Sequence, residues 1–183
     1  MLTMMERLLI LIKVVIKGQE RIGAVGHTLV QKLIYLLQAG KAIPLGYKFR
    51  LYHYGPYCAE LWGDLNSLKE YGFLSIIPKP NGLGYDITVT TEGKRWLAGM
   101  EGNQPSEIGL EEKVEDLLDL IGGEPVRKLE VLATTHYVCS DWKRKGILST
   151  DENIIASVLN LKPHLTASEI ESAIKILKEK NLY

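Results

Sequence analysis

Residues 55–89 constrain the fold more than any other stretch. Gly55-Pro56-Tyr57 opens it, and Pro56 suits the first turn of a helix, where its missing N–H has no partner to lose. Gly72 is the matching stop signal. Between them Leu61, Leu65 and Leu68 recur at i, i+4 and i+7 beside Trp62, a single apolar stripe that must face a core. The spacing predicts a helix over 57–71. Phe73 to Ile77 is too short for a helix and rich in β-formers, and Pro78 to Gly84 is turn-forming. Tyr85-Asp86-Ile87-Thr88-Val89 then alternates as a strand. A helix feeding a long-tipped hairpin, after an upstream helix pair, is the arrangement of a winged helix-turn-helix, in which the second helix of the pair reads nucleic acid.

The upstream pair is visible. Residues 2–17 are apolar on nearly every side (Leu2, Met5, Leu8, Leu9, Ile12, Val15 and Ile16 on one face, Ile10, Leu11 and Val14 on the rest), which predicts a helix buried all round, either in the core or in a homodimer interface. Gly18 to Gly26 reads as a connector with three glycines, without the spacing or the preceding strand of a phosphate loop. A second helix over 28–39 should turn Leu29, Leu33, Leu36 and Leu37 inward and Gln31, Lys32 and Gln38 outward. Residues 48–53 alternate as a short strand able to pair with the wing, and mix basic with aromatic side chains. Lys48 and Arg50 there face either phosphates or plain solvent.

Three stretches together resemble a known group. Gln31-Lys32-Leu33-Ile34-Tyr35-Leu36-Leu37, Phe49-Arg50-Leu51-Tyr52-His53-Tyr54-Gly55-Pro56-Tyr57, and Leu61-x-x-Asp64-Leu65-x-x-Leu68-x-x-x-Gly72 are similar to the YwgA-type uncharacterised proteins, and the likeness continues to Lys162-Pro163-His164-Leu165. More distantly, the Lys-Leu-x-Tyr pattern followed by Tyr-Gly-Pro is similar to the Panacea domain of antitoxins and phage-associated proteins. The resemblance implies a winged-helix-like fold with a helical C-terminal part, and no enzymatic activity. After Gly-Pro-Tyr this chain carries Cys58, a weaker helix cap than a small hydroxyl residue.

Thr90-Thr91-Glu92 starts a further helix, anchored by Trp96, Leu97 and Met100, and 99–109 is the clearest linker. The expected organisation is a winged-helix domain at 1–98, a linker at 99–109 and a helical C-terminal domain at 110–183. The fold class is therefore mainly α with a small antiparallel β wing. Helices are predicted at 107–121, 126–139, 151–161 and 167–180, the last opened by the capping sequence Thr166-Ala167-Ser168-Glu169.

Charge divides the chain. Residues 1–99 carry 12 Lys and Arg against 7 Asp and Glu, a net of +5, and residues 100–183 carry 10 against 15, a net of −5. The acidic half could repel DNA, hold a basic partner, or attract its own front half. Two cysteines in 183 residues fit a reducing cytoplasm rather than a disulfide scaffold. The apolar run at 8–16, interrupted by Lys13, is far short of the ~20 residues of a spanning helix, and no signal-peptide cleavage site follows, so a soluble protein is expected.

Catalytic chemistry finds little support. His136 and Cys139 are half of a zinc site with no second pair, and neither Cys58 nor Cys139 has a nameable activating group. Glu111, Glu115 and Asp119 lie at i, i+4 and i+8 on what reads as a solvated helix face. The expectation is a non-enzymatic binding protein with no cofactor and no metal. DNA is one partner class, met mostly at its phosphates by Lys48, Arg50, Asn66, Lys69, Lys79, Lys94 and Arg95. The objection to it is the helix at 57–71, whose outward positions include Glu60, Asp64 and Glu70. Those three, or the acidic C-terminal half, would instead serve a protein partner.

Overall fold

The structure is a computed structural model that describes residues 2–23, 25–82, 84–100, 109–120, 125–148 and 150–182. It is mainly helical, with a small antiparallel sheet and a separate two-stranded ribbon.

Helix α1 (Met4–Ile22) starts in a capping box: the Thr3 hydroxyl accepts from the Glu6 N–H while the Glu6 carboxylate takes the Thr3 N–H at 2.7 Å. It runs beyond the expected end at residue 17. Gly18, read as part of a connector, is inside the helix, where its bareness serves packing, since a Cβ there would meet Val25 Cγ2 at 2.8 Å. Leu8 to Ile12, with Val14 and Val15, are buried within the single chain, so the core accounts for them and only Met4 and Met5 remain about half exposed at 51% and 48%.

Strand β1 (Val25–Gly26) leads into α2 (His27–Ala39). α2 is the centre of the molecule: every residue from Leu29 to Leu37 is buried. Gln31 and Lys32, expected to point outward, are therefore inside. They can be, because both are hydrogen-bonded: the Gln31 amide donates to the Cys58 carbonyl at 3.0 Å and accepts from the Cys58 N–H at 2.9 Å, while the Lys32 ammonium donates to the Pro56 carbonyl at 2.9 Å.

The residues expected as one strand at 48–53 form instead half of their own hairpin. β2 (Arg50–Tyr52) pairs with β3 (Gly55–Tyr57), opposing Arg50 to Tyr57 and Tyr52 to Gly55, and makes no ladder with the larger sheet. Pro56 thus sits in a strand, not in the first turn of a helix. α3 (Ala59–Glu70) begins three residues later, with Cys58 at the N-cap making no side-chain cap bond. It buries Leu61, Leu65 and Leu68 as the stripe requires. β4 (Leu74–Pro78) and β5 (Tyr85–Val89) form the expected hairpin, in register from Leu74 opposite Val89 to Pro78 opposite Tyr85. β1 adds a third strand on β5, so the sheet order is β1-β5-β4.

Helix α4 (Thr91–Gly99) is capped by Thr90, whose Oγ1 accepts from the Gly93 N–H at 3.0 Å. Of the expected linker, residues 101–108 lie outside the described residues. α5 (Leu110–Asp119) packs on α1 and α2, and α6 (Pro125–Arg144), six residues longer than expected, packs on α2 and β3. α7 (Asp151–Leu161) and α8 (Ala167–Glu179) match their predicted spans within a residue and pack on α6; α8 opens with the Thr166–Glu169 capping box. One hydrophobic cluster runs from Leu8 through α2 to Leu182. No helix among the described residues is long and apolar enough to cross a membrane.

Candidate nucleic-acid interface

The side chains singled out for phosphate contact are spread over β2 and the loop before it, α3, the end of β4 and α4. Lys48 is exposed just before β2, and Arg50, exposed, opens β2 opposite Tyr57. Lys69 is exposed in the last turn of α3. Lys79 follows β4 and lies 3.4 Å from Asp86 of the neighbouring strand. Lys94 and Arg95 are exposed on α4, with Arg95 3.3 Å from Glu92. Lys48, Arg50, Lys69 and Lys94 form no ion pair among the described residues. Asn66 is half-buried, and its amide donates to the Trp62 carbonyl one turn back at 2.8 Å, so it is tied to its own helix.

The acidic face expected on α3 is largely dismantled by long-range partners. Asp64 is buried, not outward: its carboxylate accepts from the Tyr47 hydroxyl at 2.7 Å and lies 3.4 Å from the Arg7 guanidinium. Glu60 remains exposed but is held by Arg7 at 2.8 Å. Arg7 lies also over the Tyr47 ring, 5.0 Å from its centroid. That leaves Glu70 as the one acid on α3 without an ion pair among the described residues. Sequence reasoning missed Arg7 because its partners Tyr47, Glu60 and Asp64 lie forty or more residues away in the chain.

The acidic face of α5 is likewise engaged. Lys17 reaches Glu115 at 3.0 Å and Glu111 at 3.8 Å, Lys41 reaches Asp116 at 3.0 Å, and Arg21 pairs with Asp119. Of the three roles open to the acidic half, attraction to its own front half is realised on this helix. These pairs lie at the surface, where water and salt screen them, yet together they keep the α5 carboxylates facing α1 and α2.

The motif stretches quoted above converge on the β2–β3 turn. Lys32 holds the Pro56 carbonyl, and the Lys162 ammonium, itself buried, donates to the carbonyls of Tyr52 and His53. Buried Glu130 accepts from His164 at 3.0 Å. Tyr35 donates its hydroxyl to His136 Nδ1 at 2.7 Å, because Nε2 is committed to the Leu182 carbonyl at 2.7 Å. Burial pulls the His136 pKa down and keeps the ring neutral. Both its nitrogens are occupied, and the described residues contain no group of three or more His, Cys, Asp and Glu able to hold a metal. Cys58 and Cys139 are buried free thiols.

Comparison with known proteins agrees with the motif stretches. The chain is 23% identical over 157 residues to the uncharacterised protein YwgA of Bacillus subtilis (strain 168), covering 85% of this chain and 86% of that protein. No protein-family model matches the chain.

Proposed function

We propose that the protein is a non-enzymatic winged-helix protein and a cytoplasmic DNA-binding transcriptional regulator that contacts mostly phosphates. The observation that carries this reading is connectivity. The order α1, β1, α2, α3, β4, β5 with sheet order β1-β5-β4 supports a winged-helix reading, with the β2–β3 ribbon inserted between the helices of the pair. On this reading α3 approaches the duplex, β4–β5 is the wing, and Lys48, Arg50, Lys69, Lys79, Lys94 and Arg95 meet the backbone.

The second reading, a protein-interaction module like the Panacea-type antitoxins, needs acidic side chains on α3 or in the C-terminal half. Asp64 and Glu60 are engaged by Arg7 and Tyr47, and the α5 acids by Lys17, Arg21 and Lys41. This favours DNA. The same engagement removes most of the charge that would push phosphate away from α3. A homodimer through α1 would have only its N-terminal turn, with Met4 and Met5, to offer.

The test is charge reversal. R50E combined with K79E should abolish binding to duplex DNA while the far-ultraviolet circular dichroism stays unchanged. Unchanged affinity in that variant overturns the proposal.

A further inference from the structure

A groove of about 740 Å³ opens between α2, residues 47–49 and α6, with Leu182 at one end. Its size falls within the ~300–1,000 Å³ of small-molecule sites. The walls are aromatic: Tyr35 meets Phe49 edge to face at 5.2 Å between centroids and Tyr137 at 6.2 Å. Its deep polar groups are already satisfied, since the Tyr35 hydroxyl and both His136 nitrogens bond to one another and to Leu182. The floor therefore offers no unpaired donor among the described residues, and Phe49 and Tyr137 are the rings left half-buried rather than covered.

The rim is cationic. Lys48 enters it from the loop, and Lys143 and Arg144 from the last turn of α6. Lys48 and Lys143 are exposed and in no ion pair among the described residues, and Arg144 pairs only along its own helix, with Asp141 at 2.9 Å, its side chain 72% exposed. Among the described residues no carboxylate side chain lines the groove. Aromatic walls with two or three cations at the mouth complement one chemistry: a flat ring that stacks, carrying a negative group that reaches the rim.

We infer that this groove binds a small planar aromatic anion, its ring against the half-buried Phe49 and Tyr137 and its charged group at Lys143, Arg144 and Lys48. The groove shares Lys48 with the proposed phosphate contacts, but Lys143 and Arg144 are not among them, so variants at those two positions separate this inference from DNA binding. The shared chemistry has two sources, a mononucleotide and an aromatic carboxylate.

Isothermal titration calorimetry on the full chain separates them, with adenosine monophosphate and salicylate as probes. Saturable one-to-one binding of either is expected; a response to the first alone assigns the nucleotide, and to the second alone the aromatic acid. The double variant K143A/R144A, at two exposed positions where folding is not at stake, should weaken binding about tenfold or more, the loss of one charge-assisted contact. Tyr137→Leu should weaken it too. Absence of saturable binding by both probes at millimolar concentration, or affinity unchanged in K143A/R144A, overturns the inference.

Discussion

The Arg7 guanidinium holds the Glu60 carboxylate at 2.8 Å, bridging the start of α1 to the start of α3. Its other nitrogen lies 3.4 Å from buried Asp64. One cation therefore compensates two acids on the helix proposed to approach DNA. Because it is more than three-quarters enclosed, with 17% of its side chain exposed, the interaction is less screened than a surface pair.

Arg7→Met keeps much of the bulk and removes the charge. Asp64 would then stay buried with the Tyr47 hydroxyl as its partner, so the variant should lose about 1–3 kcal/mol of stability in urea denaturation. At a temperature where it remains folded, it should also bind duplex DNA more weakly than the parent, because α3 regains negative charge. Tighter binding by the variant would contradict this role.

Lys32 is the second such group. Burial outweighs the pull of Glu130 and, with Lys162 adding to it, lowers its pKa to about 8 from 10.5. Between those values the unfolded chain holds a proton that the folded chain has released, so stability should rise as pH climbs from about 8 towards 10.5. Lys32→Met should flatten that rise in a pH series of denaturation midpoints.

Gly93 reverses an ordinary rule. Alanine inside a helix usually stabilises relative to glycine by about 1 kcal/mol. At Gly93 of α4, however, a Cβ would collide with the Phe73 carbonyl oxygen and lie 3.0 Å from Val89 Cγ1. That carbonyl also accepts from the Thr90 N–H at 3.0 Å, so it cannot move without loosening the cap. Gly93→Ala should destabilise by about 1–3 kcal/mol in thermal unfolding. Gly99→Ala, at the exposed end of the same helix with open space around it, should be near neutral or stabilising.

Features set by neighbours in the chain were legible. The Leu61, Leu65, Leu68 stripe placed α3, the alternation from Tyr85 placed β5, and Thr90 and Thr166 marked helix starts that their hydroxyls cap. What the sequence hid depends on distant partners. Gly55-Pro56 reads locally as a helix entrance, and only the Lys32 bond to the Pro56 carbonyl and the pairing with β2 explain it as a strand. Asp64 looks like an exposed acid until Tyr47 and Arg7 are brought to it. Gln31 and Lys32 look like a solvent face because α6 and β3, which cover that side of α2, lie far along the chain.

Fluorescence anisotropy of a random-sequence duplex across a salt series tests the central claim most directly. Each phosphate contact contributes about −0.9 to the slope of log affinity against log salt, so engagement of four to six of the named cations predicts a slope of roughly −4 to −5. R50E/K79E should abolish the binding across the series. The absence of binding at low salt would contradict the account and would turn the search to protein partners.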